Sequence, residues 1–168
     1  KYQEWGDITR TIRADYAAGR VNAAQADLVQ ARPLEYLYDR RQDTLQVNNL
    51  ATNSGYQPVV SRMRAALHTH LLDVQDVLFM PEYEMARRAE HATPYALRKD
   101  AAAYPFPRIL DAAVQVGQQD AAEQQLKLLK DEDAVVRYWG AVGLDAGTDA
   151  VKPFREQVAA ALDDPHPS

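Results

Sequence analysis

The chain has 168 residues, of which 46% are hydrophobic and 26% charged, with a formal net charge of -5 at pH 7. That balance is globular and far from the low-hydrophobicity, high-charge compositions that stay disordered, and the length allows one domain or two small ones. The acidic surface disfavours a nucleic-acid backbone as partner, and the absence of cysteine removes disulfides, thiolate metal sites and a cysteine nucleophile together.

Ile8, Ile12 and Tyr16 recur every four residues before Gly19, which predicts a helix of about three turns with Gly19 as its stop. A second short helix is expected over 22–29, capped by Asn22. Pro33 closes it. Leu34 to Tyr38 is rich in Leu and Tyr over too few residues for a helix, and predicts a strand. From Pro58 to Leu78 the apolar positions Val60, Met63, Leu67, Leu71, Val74 and Leu78 step by three and four. This is the pattern of an amphipathic helix that packs one stripe on a core. Pro81 ends it, and 81–104 shows no sustained period, so it is expected to be a connector with a helical turn around Tyr83 to Ala89.

After Pro105 the texture changes to alanine-rich helices with short polar punctuation. Ile109, Leu110, Ala113 and Val114 make one face, stopped by Gly117. Asp120 with Glu123 forms a capping-box-like start for a helix bearing Leu126 and Leu129. Asp133 is expected to cap a helix containing Val136, Trp139, Val142 and Leu144, and Val151, Phe154, Val158 and Leu162 mark a further one. The segment LLKDEDAVV at 128–136 aligns with ALDDPHPS at 161–168, pairing Leu129 with Leu162 and Asp131 with Asp164 at a spacing of 33 residues. A helix pair repeating at that interval points to a HEAT-like α-solenoid. The fold expected is therefore mainly α, in three parts: a helical segment 1–80 with one short strand at 34–38 and a long helix over 58–78, the connector 81–104, and truncated HEAT-like repeats over 105–168. A repeat half cannot bury its own face, so at least one more helix is expected beyond Ser168. The start KYQEWGDITR has no initiator Met, hydrophobic region or cleavage site, and the chain is expected to be a piece of something longer.

Residue types that carry chemistry are present without the spacing that chemistry needs. Asp39, Asp43, Asn48 and Asn49 could offer oxygen ligands to calcium, but no loop glycine and no closing glutamate accompany them, and turn and capping duty accounts for them better. His68 and His70 are two apart and point to different sides of a helix, so they cannot chelate as an i, i+4 pair does. His91 sits beside Glu90 with no serine or cysteine partner. The run Asp131-Glu132-Asp133 lies between helices, where capping and dipole complementation explain it. Tyr138 and Trp139 fit a core or groove lining. Ser54, Ser61 and Ser168 lack any nucleophile-elbow context. No catalytic, cofactor-binding or metal-ligating residue is assigned.

The segment RPLEYLYDRRQDTLQVNNLA, residues 32–51, resembles the C-terminal region of the sulfatase family. There a Pro-x-Glu-x-Leu-Tyr-Asp strand, here Pro33, Glu35, Leu37, Tyr38 and Asp39, is followed by an acidic turn, then Asn-Asn-Leu-Ala, here Asn48 to Ala51, then a long amphipathic helix, here with Arg64, Leu67 and Leu71. AAGRVNAAQADL at 17–28 is similar to the stretch that precedes that strand in bacterial sulfatases. DVLFMPEYEM, TPYALRKDAAAYPFPRIL and DEDAVVRYWGAVGL look like a bacterial subgroup with appended HEAT-like repeats. One departure is Asp43-Thr44 where the family commonly has Asp-Pro. The resemblance covers nearly the whole chain, and it implies the non-catalytic C-terminal part of an alkaline-phosphatase-like α/β enzyme that hydrolyses sulfate esters. That enzyme works through a formylglycine and a bound calcium or magnesium, held in an N-terminal catalytic domain on which this part would pack. It further implies a secreted or periplasmic location, and a protein or sulfated glycan as possible partner besides that domain. No serine here begins the Cys/Ser-x-Pro-x-Arg motif, so no catalytic or metal residue carries over. The reading from a different class is a HEAT-like interaction or scaffold module from a non-enzymatic parent.

Overall fold

The computed structural model describes residues 6–118, 120–147 and 152–165. It is mainly α, with nine α-helices and no strand among the described residues. Two compact units divide the chain, Lys1–Arg62 and Met63–Ser168.

In the first unit, α1 (Asp7–Ala17) ends where expected. Gly19 takes a left-handed φ of 67°, which lets its N–H donate to the Tyr16 carbonyl at 3.0 Å and the Arg20 N–H to the Asp15 carbonyl at 2.9 Å, closing the helix in a Schellman turn. The helix α2 (Ala23–Ala26) is one turn long, capped reciprocally by Asn22 and Gln25, each bond 2.9 Å. It does not extend to Val29. Leu28 and Val29 instead make i→i−3 turn bonds, and Leu28 is exposed, so no buried face rewards further helix.

The strand expected at Leu34 to Tyr38 is absent. A strand needs a partner ladder, and here the Asn49 side chain takes the place of one. Its amide donates to the Glu35 carbonyl at 3.1 Å while its oxygen accepts the Leu37 N–H at 2.9 Å, and the Leu50 N–H adds one backbone bond to the Leu37 carbonyl at 2.8 Å. The segment is thus extended but satisfied by a side chain, which a pattern of Leu and Tyr cannot reveal.

The long helix α3 spans Gln57–Val74, led by a 3-10 turn over Ser54–Tyr56, and the division between units falls within it. It stops short of Leu78 because Gln75 adopts a positive φ of 50°, after which Asp76 caps a separate 3-10 turn over Val77–Phe79. The expected stripe is not packed along its length. Val60 is buried at 7% exposure, whereas Met63 and Leu67 are 54% and 56% exposed. A helical period records a face suited to an apolar surface, not which body supplies that surface.

The second unit holds α4 (Glu82–Arg88), α5 (Pro94–Leu97), α6 (Phe106–Ala113), α7 (Ala122–Leu128), α8 (Ala134–Ala146) and α9 (Arg155–Ala160). Its core gathers Met80, Leu97, Tyr104, Phe106, Ile109 and Leu110 with Val135 and Val136. The 81–104 segment, read from sequence as a connector, therefore carries two short helices and two of these core side chains, Leu97 and Tyr104. Its apolar anchors are spaced too irregularly to show a period. Phe79 meets Phe106 edge-on with ring centroids 5.3 Å apart, and Trp139 donates its indole N–H to the Phe79 carbonyl at 2.8 Å, so both polar and apolar parts of the aromatic cluster are satisfied.

On α6, Ile109 and Leu110 are buried as expected, but the helix already ends at Ala113 with half-exposed Val114 as its C-cap; i→i−3 turn bonds from Gln115 and Val116 follow, so Gly117, with a φ of 74°, ends that turn and not the helix. Asp120 does not cap α7. It has a left-handed φ of 60°, and Ala121 occupies the cap position without a side-chain bond. Asp133 does cap α8, accepting the N–H groups of Val135 and Val136 at 2.8 and 3.3 Å. The helices α7 and α8 approach closely through glycine. A Cβ at Gly140 would lie 2.8 Å from the Leu128 Cβ and 3.0 Å from the Gln125 carbonyl oxygen. Val151 of the last expected helix, and the side chain of Leu162, lie outside the described residues.

Candidate functional site

Two polar constellations stand out, one in each unit. The first is the turn of residues 39–53. The Asp39 carboxylate accepts the Arg41 N–H at 3.0 Å, and its carbonyl accepts from Gln42 and Asp43. Asp43 uses one oxygen for the Val47 N–H at 3.2 Å and the other for the Asn48 N–H at 2.8 Å, across a residue, Gln46, with φ of 55°. Asn49 clasps the 35–37 segment, and Asn53 caps the 3-10 turn through the Gly55 N–H at 2.9 Å. Every Asp and Asn whose side-chain bond is named here thus holds backbone, which is the role the sequence favoured over calcium ligation.

The second constellation is in the core of the other unit and was not anticipated. Glu84 has no exposed surface, and its carboxylate receives Arg87 at 2.8 and 3.1 Å and Arg88 at 3.0 Å. Arg88 continues to the Asp133 carboxylate through two bonds of 2.9 and 3.0 Å, and to the Ala103 carbonyl at 2.9 Å. Burial pushes the Glu84 carboxyl up, but the hydrogen bonds and charges of Arg87 and Arg88 together outweigh it, and its pKa lies below the ordinary value. Asp133 behaves alike. Burial raises it, while Arg88 and the two backbone N–H groups at the start of α8 bring it below the usual carboxylate range. Nearby, Tyr104 donates its hydroxyl to the Asp76 carbonyl at 2.5 Å, and burial first, then the Asp76 charge, pushes the phenol up. With its charge shared by two guanidinium groups, the Glu84 carboxylate joins Arg88 and Asp133 in a network that fastens α4 to the start of α8. The sequence signal that could have found it is the i, i+4 pair of Glu84 and Arg88 within EYEMARR.

The acidic run Asp131-Glu132-Asp133 is engaged throughout by arginine. Arg108 reaches Asp131 at 2.6 Å and Glu132 at 2.9 Å, and Arg137 donates to the carbonyls of both. His68 is half-buried on α3, and His70 and His91 are exposed. Ser54 lies in the 3-10 turn, Ser61 is exposed on α3, and Ser168 lies outside the described residues. Among the described residues no group of three or more His, Cys, Asp or Glu converges to hold a metal ion. No helix among them is long and apolar enough to cross a membrane.

No family model matches the chain, and neither a curated protein nor a solved structure matches it. What fold and site define together is a mainly helical protein with two polar networks devoted to holding backbone and helices in place.

Proposed function

We propose that this chain is the non-catalytic C-terminal part of a sulfatase-family sulfuric ester hydrolase, packing on the catalytic domain of that enzyme and carrying a HEAT-like tail. The observation that carries the reading is the condition of the first unit. Among its described residues only Val60 is buried, while Ile8, Leu34, Leu45 and Val47 are exposed, Ile8 and Leu45 at more than 80%. Each such side chain gains about 1.5–3 kcal/mol when it is covered, so a unit of this composition is suited to lie against a larger body. The order of the motifs in 32–51 and the long helix after them supports the sulfatase family as that body.

Two measurements test this. The coding sequence on the 5′ side is expected to encode a Cys/Ser-x-Pro-x-Arg motif with metal-binding aspartates, and a parent without it overturns the reading. The chain alone is expected to leave a fluorogenic aryl sulfate unhydrolysed in calcium buffer. Turnover that persists after copurifying sulfatases are removed places chemistry here and counts against it.

The second reading, a HEAT-like interaction or scaffold module from a non-enzymatic parent, is favoured by one recurrence. Asp131 and Asp164, equivalent in the 33-residue alignment, each accept an arginine from an earlier helix, Arg108 at 2.6 Å and Arg137 at 2.5 Å. Absence of the nucleophile motif in the parent would select this reading.

A further inference from the structure

The turn of residues 39–53 does more than fold back on itself, because it frames a half-open surface pocket of about 460 Å³ whose rim residues Gln42, Asn48 and Asn53 are exposed. That volume lies within the range of small-molecule sites, roughly 300–1,000 Å³. Its wall combines Asp39 and Asp43 with the amides of Gln42, Asn48 and Asn53, and Leu50 and the Tyr56 ring add apolar surface. The bonds that fix this wall are made by the oxygens already described, which hold Arg41, Val47, Asn48 and Gly55 by their N–H groups. By contrast the side-chain amides of Gln42 and Asn48 and the Tyr56 hydroxyl make no hydrogen bond to the protein. The cavity is thus framed by backbone contacts and lined with donors and acceptors still available.

We propose that this cavity binds a neutral sugar ring. A sugar hydroxyl both donates and accepts, so it matches a wall where amide N–H₂ groups donate beside carboxylate and amide oxygens that accept. The ring's C–H face matches Leu50 and Tyr56. The two carboxylates disfavour a sulfated or phosphorylated sugar by like-charge repulsion. A divalent cation suits the wall less well, because only two carboxylates line it and its other polar groups are neutral amides and a phenol. The assignment stands on the cavity's own lining, which does not include Leu45 or Val47.

The test is a titration of the intact chain by heteronuclear NMR, following the side-chain amide signals of Gln42, Asn48 and Asn53. The probes are glucose, galactose, N-acetylglucosamine, the O-sulfated form of N-acetylglucosamine, and calcium chloride. At least one neutral sugar is expected to move these signals in a saturable way, and the sulfated sugar to bind more weakly than its parent. Gln42→Ala with Asn48→Ala, which removes no bond that holds the fold, is expected to weaken the sugar by about tenfold, the equivalent of one to two hydrogen bonds. If no neutral sugar shifts these signals, if the double variant binds as tightly, if the sulfated sugar binds better, or if only calcium moves them, the assignment is wrong.

Discussion

Glu84 would be an expensive residue to bury alone, and the second unit tolerates it because two arginines share its charge and Arg88 passes the pairing on to Asp133. Breaking such a pair from one side leaves a charge without its partner. Arg88→Met is therefore expected to lower stability by about 3–5 kcal/mol, read as a fall in the urea midpoint. The pH dependence follows from the same contacts. Glu84 and Asp133 are both held below their ordinary pKa, so below about pH 4 the unfolded chain binds protons that the folded one refuses. The stability they contribute is complete at neutral pH and is lost as pH falls through the folded values. Glu84→Gln should give a shallower loss of midpoint between neutral pH and about pH 3 than the parent chain, and an unchanged slope would remove Glu84 from this role. Only half of the network was legible in the sequence. Asp133 announced itself as a cap, but its ion pair spans 45 residues, a separation that no local pattern encodes.

At the scale of elements, the legible features are those whose cause is local. Gly19, Asn22 and Asp133 act within three or four residues of themselves, and the structure has each in its expected place. The strand at 34–38 failed for the complementary reason, since strand identity depends on a distant partner and Asn49 replaced it. Asn49→Ala removes three bonds, to Glu35, Leu37 and Ala51, and is expected to cost about 1–3 kcal/mol through the backbone groups left unpaired. Hydrogen exchange reports on it directly, because the Leu37 and Ala51 amides should lose protection while those of α1 do not. Uniform loss across the unit would mean a general destabilisation instead. The glycines of α8 make a second element-scale point. A methyl at Gly143 meets chiefly the flexible Gln125 side chain, nearest at 2.5 Å, whereas one at Gly140 meets the Leu128 Cβ at 2.8 Å and then the α7 backbone at 3.0 Å, neither of which can swing away. Gly140→Ala is expected to cost about 1–3 kcal/mol by overpacking, and to cost more than Gly143→Ala, in paired thermal melts. The reverse order would show that α7 yields more readily than the Gln125 side chain.

At the scale of the molecule, burial is divided unevenly. Among the described residues the second unit holds every buried side chain except Val60, and the first unit is tied together by caps, turns and the Asn49 clasp. Local opening free energies track buried apolar contact, so the two units are expected to open independently and at very different cost. In native-state hydrogen exchange the amides of α6 and α8 should be the slowest in the chain, and those of α1 and α2 should exchange near the rate of a frayed segment. The same imbalance separates a missing partner from an inherently weak unit. If, as proposed, the chain belongs to a longer parent in which Ile8, Leu34, Leu45 and Val47 lie against another body, the protection of α1 and α2 in that parent should rise by orders of magnitude, since covering each such side chain is worth about 1.5–3 kcal/mol and each 1.4 kcal/mol is tenfold in an equilibrium. The core of the second unit, complete within itself, should show little change. Equal exchange in the parent and in the chain alone would leave those side chains uncovered in both and would rule out packing on the rest of the parent.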